Sequence, residues 1–360
     1  TMESVAMNQS FWNGKRVFLT GHTGFKGGWL SLWLAEMGAQ VHGYALEPPT
    51  KPSFFTTTGL ARRMTASVIS DIREAKALDQ AMQTARPEVV FHLAAQPLVR
   101  HAYSNPVETY TVNVMGTVNL LEAVRCTPGV KAVVIITTDK CYENREWPWP
   151  YRENDSLGGI DPYSSSKACV ELVTSTWRRS YLNTTGVYLA SGRAGNVIGG
   201  GDWAADRLMP DFLRALDSGE PLVVRSPLAT RPWQHVLEPL AGYLQLAEKL
   251  YSDGDAWTEA WNFGPDEADA RTVQWIVETL CARMPSASWQ RDKAPQPHEA
   301  NTLRLDSSKA RLRLGWRPRW SLPRALQATL DWHLAWKDGS AMDEFSLRQI
   351  HEYTTSGDSV

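Results

Sequence analysis

The sequence predicts an α/β fold in which a doubly wound parallel sheet is followed by a second, smaller domain of mixed α/β structure. Along the first half of the chain, short β-branched runs alternate with longer helical patterns, as they do in βαβ units. The strand candidates are apolar along almost their whole length, which is typical of strands covered on both faces. The first of them leads directly into a glycine-rich turn and a helix. These three observations together predict the fold class.

The first half of the chain contains six predicted strands and four predicted helices. The predicted strands cover residues 16–20, 40–46, 66–69, 89–93, 132–137 and 186–193. The predicted helices cover residues 25–37, 74–84, 107–125 and 162–179. Gly38 favours the end of the first helix, and Pro162 suits the first turn of the last, where its missing N–H costs no hydrogen bond.

The character of the sequence changes after Asn196. Glycines at residues 199–201 are followed by recurrent prolines, which indicates a smaller, loop-rich region. Residues 223–224 form a short strand candidate. Helical spacing returns at residues 236–249, 273–284 and 322–336. We therefore predict a first domain over residues 13–195 and a second mainly over residues 196–350, between which the chain can cross more than once.

Charge and composition exclude several classes of protein. The 360 residues include 37 Lys+Arg and 39 Asp+Glu, a formal net charge of -2, and 43% of them are hydrophobic. This is a globular composition without the basic excess of a nucleic-acid-binding protein. Apolar runs stay well below the roughly 18 residues of a membrane span, and the first residues show no signal-peptide pattern. We expect a cytoplasmic protein that binds neither nucleic acid nor a membrane.

Cysteine and histidine spacing predicts neither disulfides nor a metal site. The four cysteines lie far apart without a CxxC pair, so they are expected to be reduced thiols. No HExxH or similar ligand spacing occurs, and no metal is predicted. Tryptophan is unusually frequent, with 16 residues. Trp203 and Trp233 illustrate the two interpretations: such side chains stack on sugars or bases, or they pack in a large core.

The glycine-rich turn predicts a dinucleotide site. Residues 20–27 read Thr-Gly-His-Thr-Gly-Phe-Lys-Gly, a G-x-x-G-x-x-G pattern between a strand and a helix. Backbone amides there can approach a pyrophosphate at the positive end of the helix, although an ordinary βα turn shows the same pattern. A P-loop is excluded because no Gly-Lys-Ser/Thr follows at the right spacing. The candidate contacts in this turn are Gly21, His22, Thr23, Gly24, Phe25 and Lys26.

The next two strands bear on which dinucleotide is bound. An acidic residue usually ends the second strand and binds the adenosine ribose, but here the first carboxylate is Glu47, without a nearby arginine for a 2′-phosphate. Asp71 and Ile72, after the third strand, are placed to meet the adenine edge, with a solvated turn as the alternative. His22 adds bulk inside the loop. We predict NAD as the cofactor, held with modest affinity.

Tyr163 and Lys167 are candidates for the catalytic pair. They stand four residues apart, so they share one face of a predicted helix. A nearby cation favours the phenolate and lowers the pKa of the tyrosine, and the positive nicotinamide ring of NAD adds to that effect. Tyr-x-x-x-Lys on its own is commonly an exposed helix pair. Downstream of a dinucleotide loop, it predicts acid–base chemistry.

These motifs, in this order, resemble the extended short-chain dehydrogenase/reductase family over most of the chain. Further shared features are His-Leu-Ala-Ala at residues 92–95 and Asn113 in the next helix. The resemblance implies a Rossmann-type sheet, with Tyr163 as the acid/base and Lys167 on the nicotinamide ribose. Thr138 stands where the family has a Ser or Thr that hydrogen-bonds the reacting oxygen. The cofactor contacts implied after the fourth strand are Leu93, Ala94 and Ala95.

Thr138, Asp139 and Lys140 are similar to the signature of the nucleotide-sugar 4,6-dehydratases within that family. Within these enzymes, this chain resembles the branch that acts on CDP-glucose. The shared features are lysine at position 140 and the sequences at residues 43–50 and 297–310. The resemblance implies loss of water from a nucleotide-hexose in deoxysugar biosynthesis: oxidation at C4, elimination across C5 and C6, and hydride return to C6. Asp139 would be the acid and Lys140 the base of the elimination, and a surface ion pair is the plain alternative.

Four residues are candidates for binding the nucleotide-sugar substrate. Arg207 and Arg231 carry guanidinium groups whose geometry matches a diphosphate. Asn196 and His298 match substrate-contact positions of similar enzymes. A solvated surface position is the alternative for any one of them.

Other functions and the assembly state remain open at this level. A 4-epimerase would use the same Tyr163 and Lys167, whereas a non-catalytic dinucleotide sensor would be expected to lack that pair. The helices predicted at residues 107–125 and 162–179 resemble the two-helix dimer surface of the family. We therefore expect a homodimer or a higher homo-oligomer.

Overall fold

The predicted α/β fold is confirmed by the computed structural model, which describes residues 8–182, 184–294 and 301–356. In chain order, the strands are β1 (Arg16–Thr20), β2 (Gln40–Ala45), β3 (Ala66–Ile69), β4 (Val89–His92), β5 (Ala132–Ile136), β6 (Tyr188–Ala194), β7 (Asn196–Ile198), β8 (Leu222–Val224), β9 (Thr230–His235), β10 (Ala260–Phe263), β11 (Ala270–Thr272) and β12 (Trp289–Arg291). The α-helices are α1 (Gln9–Trp12), α2 (Phe25–Glu36), α3 (Phe54–Thr57), α4 (Ala75–Ala85), α5 (Val99–Ser104), α6 (Pro106–Tyr110), α7 (Gly116–Cys126), α8 (Pro162–Trp177), α9 (Leu208–Ser218), α10 (Leu237–Asp253), α11 (Val273–Arg283), α12 (Leu322–Lys337) and α13 (Met342–Thr355).

Seven of the described strands form one parallel sheet in the order β3-β2-β1-β4-β5-β6-β10. The strand order reverses at β1 and β4, and at such a switch point a crevice opens outside the carboxyl ends of the strands. β10 comes from the second region and pairs with β6. The chain therefore returns from that region to complete the central sheet.

The six predicted strands of the first half lie within two residues of their predicted ends. The predicted helix over residues 107–125 differs, because a π-type turn at residues 111–115 separates α6 from α7. This turn buries Asn113, whose side chain is 1% exposed. Hydrophobic spacing does not reveal the turn because the chain keeps its helical direction through it. Such turns are frequent at functional sites.

Side chains alternate between the two faces of the sheet and fill two separate cores. Val17 and Leu19 of β1 face a core shared with α2, α10, α12 and α13. Phe18, between them, faces a second core shared with α4, α7 and α8. Both faces of the sheet are thus covered by helices, as the doubly wound prediction requires.

Core packing explains many of the tryptophans. The buried members of the first core include Trp12, Trp29, Trp33, Trp261, Trp316, Trp320 and Trp332. Trp332 of α12 lies so close to Gly200 that a β-carbon there would stand 2.0 Å from the indole Cγ. Trp29 of α2 donates a 2.9 Å hydrogen bond to the carbonyl of the same glycine. Large aromatic rings therefore fix the loop that leads into the second region.

The second region builds a smaller mixed α/β lobe beside the sheet, as predicted. β7, β9 and β11 form one small sheet, and β8 pairs with β12. Apolar side chains of α9, α11 and α12 fill a third core around them. Among the helices in the described part of the chain, none combines the length and apolarity needed to cross a membrane.

A buried carboxylate fastens the last helix to this framework. Glu238 of α10 accepts hydrogen bonds from the backbone N–H groups of Arg319 and Trp320, at 3.1 and 2.7 Å, and from the hydroxyl of Tyr353 in α13, at 2.7 Å. Its side chain is 0% exposed. Desolvation raises the pKa of Glu238 from 4.5 to about 7, against the effect of these donors.

This raised pKa predicts a pH-dependent stability. The native state holds the Glu238 proton more tightly than the unfolded chain does. The protonated side chain therefore makes its full contribution to the free energy of unfolding below pH 4.5, and this contribution is lost as the pH rises through about 7. We expect wild-type protein to lose about 3 kcal/mol of unfolding free energy over that range relative to Glu238→Gln. Denaturant unfolding at several pH values measures the difference. Tyr353→Phe, which keeps the carboxylate but removes a donor, should extend the loss to higher pH, whereas parallel curves for wild type and Glu238→Gln would contradict the assignment.

Candidate active site

A cavity of about 890 Å³ opens at the carboxyl ends of the central strands and extends to the smaller lobe. It lies at the switch point of the sheet, where α/β folds bind ligands. Most of the residues selected from the sequence line it, namely Gly21, Thr23, Gly24, Phe25, Lys26, Asp71, Ile72, Leu93, Ala94, Ala95, Thr138, Asp139, Lys140, Tyr163, Lys167, Asn196, Arg207 and Arg231. His298 lies outside the described residues, and His22 is treated below.

The glycine loop forms a cradle that only glycine backbone can supply. Gly21 has φ +82°, and a β-carbon on it would stand 2.8 Å from the backbone nitrogen of Ala94. A β-carbon on Gly27 would stand 2.1 Å from the carbonyl oxygen of Gly21. Gly24 occupies the N-cap position of α2. The loop backbone is therefore pressed between α2 and the chain after β4, which fits a dinucleotide diphosphate at the helix N-terminus.

The side chain of His22 points away from this cradle. It is 0% exposed, its Nε2 lies 2.7 Å from the hydroxyl of Ser67, and its ring sits against Gly43 and Phe55. Desolvation lowers the pKa of His22 to about 4. The sequence suggested bulk inside the loop, but the structure places that bulk beneath the loop, where it supports the backbone as a neutral imidazole.

A chain of hydrogen bonds holds the segment after β4 against the loop. The hydroxyl of Thr20 accepts from the backbone N–H groups of Leu93 and Ala94, each at 3.2 Å. It therefore donates to Nδ1 of His92, 2.7 Å away, and Nε2 of His92 donates to Thr117 at 3.0 Å. Desolvation lowers the pKa of His92 to about 3. The neutral His92 thus orients the Thr20 hydroxyl, which in turn holds the backbone of Leu93 and Ala94 at the wall of the cavity.

Asp71 lines the cavity and is held by Arg73. The guanidinium of Arg73 donates to both carboxylate oxygens, with a shortest contact of 2.5 Å, and its backbone N–H adds a bond of 2.8 Å. These bonds lower the pKa of Asp71. The carboxylate is thus charged and fixed in orientation, as recognition of a polar base edge requires.

Tyr163 and Lys167 both lie on the buried face of α8, at 9% and 6% exposure. Asp161 caps this helix by accepting from the backbone N–H of Ser164 at 2.9 Å, which fixes the first turn that carries Tyr163. The sequence predicts a lowered tyrosine pKa, but in the structure desolvation raises the pKa of Tyr163 well above its ordinary value. A hydrogen bond with Thr138 and the charge of Arg207 work in the opposite direction.

Asp139 is the most unusual polar group in the cavity. It is 1% exposed, and its Oδ1 accepts from the hydroxyl of Thr138 at 2.9 Å. Its Oδ2 is buried without a hydrogen-bond partner in the described part of the chain. Desolvation raises the pKa of Asp139, although Lys140, Thr138 and nearby cations oppose this shift. The environment therefore favours a protonated carboxyl group, which is a proton donor.

Cationic side chains surround this carboxyl group. Lys140 is adjacent in sequence, and Lys26, Lys167 and Arg231 line the same cavity. Desolvation, and then the charges of Lys167 and Arg207, lower the pKa of Lys26 to about 7. Desolvation also lowers the pKa of Lys167 to about 8, while its Nζ donates to the carbonyl of Ile136 at 3.2 Å. Several basic side chains are thus placed in the same cavity as Asp139.

The predicted substrate arginines enter the cavity with defined partners. Arg207 forms a 2.9 Å ion pair with Asp202. Arg231 is 4% exposed and donates to the carbonyl of Thr230 at 3.0 Å. Asn196 begins β7 at the wall of the cavity. Trp233 is buried and donates to the carbonyl of Arg271, so it packs in the small lobe.

One polar cluster at the cavity was missed by sequence reasoning. Asp206 lies 3.7 Å from Arg100 of α5 and 3.1 Å from Arg225 after β8, and all three residues line the cavity. Asp206 has φ +61°, which is rare for a residue other than glycine. No local motif marks these positions, because the three residues meet only when the two lobes come together.

Comparison with known proteins places this arrangement among sugar-nucleotide enzymes. The family described as GDP-mannose 4,6 dehydratase matches residues 18–329. CDP-glucose 4,6-dehydratase of Salmonella typhimurium is 54% identical over 356 residues, 97% of this chain and 99% of that protein. dTDP-glucose 4,6-dehydratase of Xanthomonas campestris is 23% identical over 305 residues, 79% of this chain and 84% of that protein.

Solved structures share the fold. A dTDP-glucose 4,6-dehydratase of Bacillus anthracis in complex with NAD has a TM-score of 0.74 and 20% identity, and the match covers 91% of this chain and 99% of that one. The UDP-glucose 4-epimerase of Thermotoga maritima with UDP-glucose has a TM-score of 0.76 and 24% identity, with coverage of 88% and 97%. The same architecture thus accompanies both dehydratases and epimerases, so the reaction must be argued from the site.

Proposed function

This chain belongs to the GDP-mannose 4,6-dehydratase family, and from that membership we propose that it is an NAD-dependent nucleotide-sugar 4,6-dehydratase, a hydro-lyase. The observation that carries the reaction is Asp139, a buried carboxyl group that has one oxygen without a partner in the described chain and stands in the same cavity as Tyr163. A 4-epimerase moves a hydride and a proton at C4 but expels no hydroxyl. It therefore needs no acid in this place, whereas elimination of water does.

We propose CDP-glucose as the substrate and CDP-4-keto-6-deoxyglucose with water as the products. The support is the 54% identity, over nearly the whole of both chains, to a CDP-glucose 4,6-dehydratase, together with the lysine at position 140. The four cysteines, Cys126, Cys141, Cys169 and Cys281, are free thiols, which suits a reducing cytoplasm as the place of reaction.

The cofactor cradle is proposed to hold NAD, with Gly21 to Lys26 around the diphosphate, Asp71 and Ile72 at the adenine end, and Lys167 at the nicotinamide ribose. NAD bound there supplies the reversible hydride transfer that an overall loss of water needs. The protein's own residues move the protons and exclude solvent.

Tyr163 is proposed to take the proton of the sugar C4 hydroxyl. Its phenol is buried and hydrogen-bonded to Thr138, so the oxygen is fixed at the wall of the cavity. Because burial alone disfavours the phenolate, positive charge must stabilise it. Arg207 lowers the pKa of Tyr163, and Lys167 lies one helical turn further along α8. Stabilisation of the Tyr163 phenolate therefore depends on all the neighbouring charges and not on Lys167 alone.

Asp139 and Lys140 are proposed to divide the elimination between them. A C4 ketone acidifies the neighbouring C5 hydrogen, which Lys140 would remove as a proton when its side chain is the neutral amine. Asp139, whose pKa desolvation raises, would give a proton to the leaving hydroxyl at C6 when it is protonated. The two functional groups follow each other at the end of β5, so one short turn carries both the acid and the base.

The substrate diphosphate is proposed to lie between the lobes on Arg207 and Arg231, with Asn196 and His298 as further contacts. Arg207 is positioned by Asp202 and Arg231 by backbone carbonyls, so neither guanidinium has to be ordered by the ligand. Pre-positioned groups of this kind reduce the entropic cost of binding.

A panel of sugar nucleotides tests both the type of reaction and the preference for cytosine as the nucleotide base. With NAD present, we expect the protein to convert CDP-glucose to a product lighter by one water, and to do so at least about tenfold faster than the dTDP-, UDP- and GDP-linked hexoses. Mass spectrometry identifies the product. An isomer of unchanged mass would establish an epimerase instead, and a faster reaction with another base would overturn the cytidine assignment alone.

Replacement of Lys140 tests the division of roles in the elimination. In Lys140→Met we expect C4 oxidation to continue, so NADH absorbance accumulates, while water loss falls at least about a hundredfold because the C5 base is missing. Rapid mixing with CDP-glucose measures both. Lys131→Met, at the opposite end of β5, is the matched control and should behave as wild type. Unchanged water loss in Lys140→Met would remove Lys140 from the mechanism.

We further propose that the protein is a homodimer or a larger homo-oligomer built on α5, α6 and α8, which pack against one another. These helices and the adjoining π-type turn expose large apolar side chains, most strongly Val107 at 76% and Leu172 at 58%. Apolar groups on neighbouring helices are typical of a protein interface, and an isologous dimer would cover them with the same surface of a second copy.

A charge placed on that surface should dissociate the oligomer. We expect Leu172→Arg to sediment as a monomer at concentrations where wild type is a dimer or larger, because each subunit would bury an unpaired charge in an apolar interface. Sedimentation velocity measures the difference. Leu312→Arg, a replacement of another apolar side chain with 75% exposure, is the control and should leave assembly unchanged. A monomeric wild type, or dissociation by Leu312→Arg alone, would contradict the assigned surface.

A further inference from the structure

A buried ion pair lies directly behind the segment that carries Thr138, Asp139 and Lys140. It joins Glu171 of α8 to Arg193 of β6 with an N···O distance of 2.9 Å, and the two side chains are 2% and 4% exposed. Neither residue lines the cavity. The pair is therefore separated from the ligands but adjacent to the residues that act on them.

The carboxylate of Glu171 accepts four hydrogen bonds. Oε1 accepts from the hydroxyl of Thr137 at 2.5 Å and from Nε of Arg193 at 2.9 Å. Oε2 accepts from the hydroxyl of Ser191 at 2.7 Å and from a terminal nitrogen of Arg193 at 2.9 Å. Both oxygens are thus satisfied, and α8 is joined to the ends of β5 and β6 through one side chain.

Arg193 extends this connection to the far end of the catalytic segment. Its other terminal nitrogen donates to the hydroxyl of Tyr142 at 2.8 Å, and that hydroxyl donates to Asn262 of β10 at 2.7 Å. Thr137 and Tyr142 flank residues 138–141 on either side. One ion pair therefore holds both ends of the turn in which the acid and the base stand.

Stability alone does not account for such a pair. Removing two charges from water costs roughly what their attraction returns, so buried ion pairs can often be replaced by apolar groups without loss of stability. The position of this pair gives a more specific reason for the presence of two buried charges. Its hydrogen bonds end on the residues before and after the catalytic turn, and its carboxylate lies one helical turn after Lys167.

The charge of Glu171 also acts on Lys167. Desolvation lowers the pKa of Lys167, whereas Glu171 raises it. The other ionisable groups whose charges couple to Lys167 are Cys141 after β5, Lys26 of α2 and His92 of β4. Glu171 is thus an anionic partner, buried and fully hydrogen-bonded, that favours the charged lysine.

We propose that Glu171 and Arg193 are a positioning pair for the dehydration: together they fix the turn between Thr137 and Tyr142, and Glu171 places a negative charge one helical turn from Lys167. The proposal rests on the function proposed above. It assigns two separable effects to the pair, one of geometry and one of charge.

The charge effect is tested with Glu171→Gln. The amide keeps the shape of the side chain but loses its negative charge, so Lys167 should release its proton at lower pH. We expect the alkaline limb of the kcat profile for CDP-glucose to move down by about one pH unit, with kcat at the optimum reduced at least about tenfold. A purely structural role would lower the melting temperature without moving the limb.

The geometric effect is tested with Arg193→Lys. The ammonium keeps the positive charge but cannot reach Glu171 and Tyr142 at once, so kcat should fall while the alkaline limb stays at its wild-type position. The control is Glu248→Gln, which removes a partly buried carboxylate far from the cavity. This carboxylate accepts a 2.7 Å hydrogen bond from the indole N–H of Trp12. It should change only the melting temperature.

The outcomes separate this inference from the proposed function. If wild type does not dehydrate any sugar nucleotide, the proposed function fails before the variants are compared. If wild type is active and folded Glu171→Gln, checked by circular dichroism, keeps both the wild-type limb and kcat, the positioning pair is refuted. A limb that moves equally in Glu248→Gln would also refute it, because the shift would then not depend on the distance from Lys167.

Discussion

Desolvation at the carboxyl edge of the sheet is the constraint on which the rest of this site depends. The closely packed backbone of the glycine loop and the second lobe bury the ionisable groups there, and each group loses part of its hydration as a result. The pKa values of Asp139 and Tyr163 rise, and those of Lys26 and Lys167 fall. All four shifts favour the neutral form. Desolvation therefore reduces the difference in pKa between the acidic and the basic side chains. A smaller difference lowers the free-energy cost of transferring a proton between these groups and a substrate.

The aromatic core keeps the two lobes in register around the cavity. Phe54 approaches Gly28 of α2 and Gly201 of the loop before Arg207, so closely that a β-carbon on either glycine would stand within 2.6 Å of its ring. It also packs on Trp29 and Trp332. The helix α2, the glycine-rich loop before Arg207 and the helix α12 thus meet on one set of rings. Much of the unusual tryptophan content thus serves core packing, whereas Trp203 and Trp233 also line the cavity.

Local patterns were sufficient to predict the parts of the molecule that depend on local sequence. The strand alternation, the glycine loop and the four-residue spacing of Tyr163 and Lys167 each predict a feature that the structure contains. The side-chain direction of His22 could not be predicted, because it depends on Gly43 of the neighbouring strand. The Asp206 cluster and the Glu171–Arg193 pair were likewise invisible, since each joins elements far apart in sequence. The raised pKa of Tyr163 was mispredicted because spacing reports the nearby cation but not the loss of water.

The near-neutral charge of the chain follows from how its local charges are balanced. Arg207 has Asp202, Arg193 has Glu171 and Arg73 has Asp71, so these guanidinium groups are held in place without adding a strong net field. Lys26 differs, because the carboxyl group whose charge acts on it is Asp139, which desolvation shifts toward its neutral form. A diphosphate entering the cavity would supply the missing negative charge. Ligand binding should then raise the proton affinity of Lys26, so that the arrival of the substrate favours the charged form of this lysine.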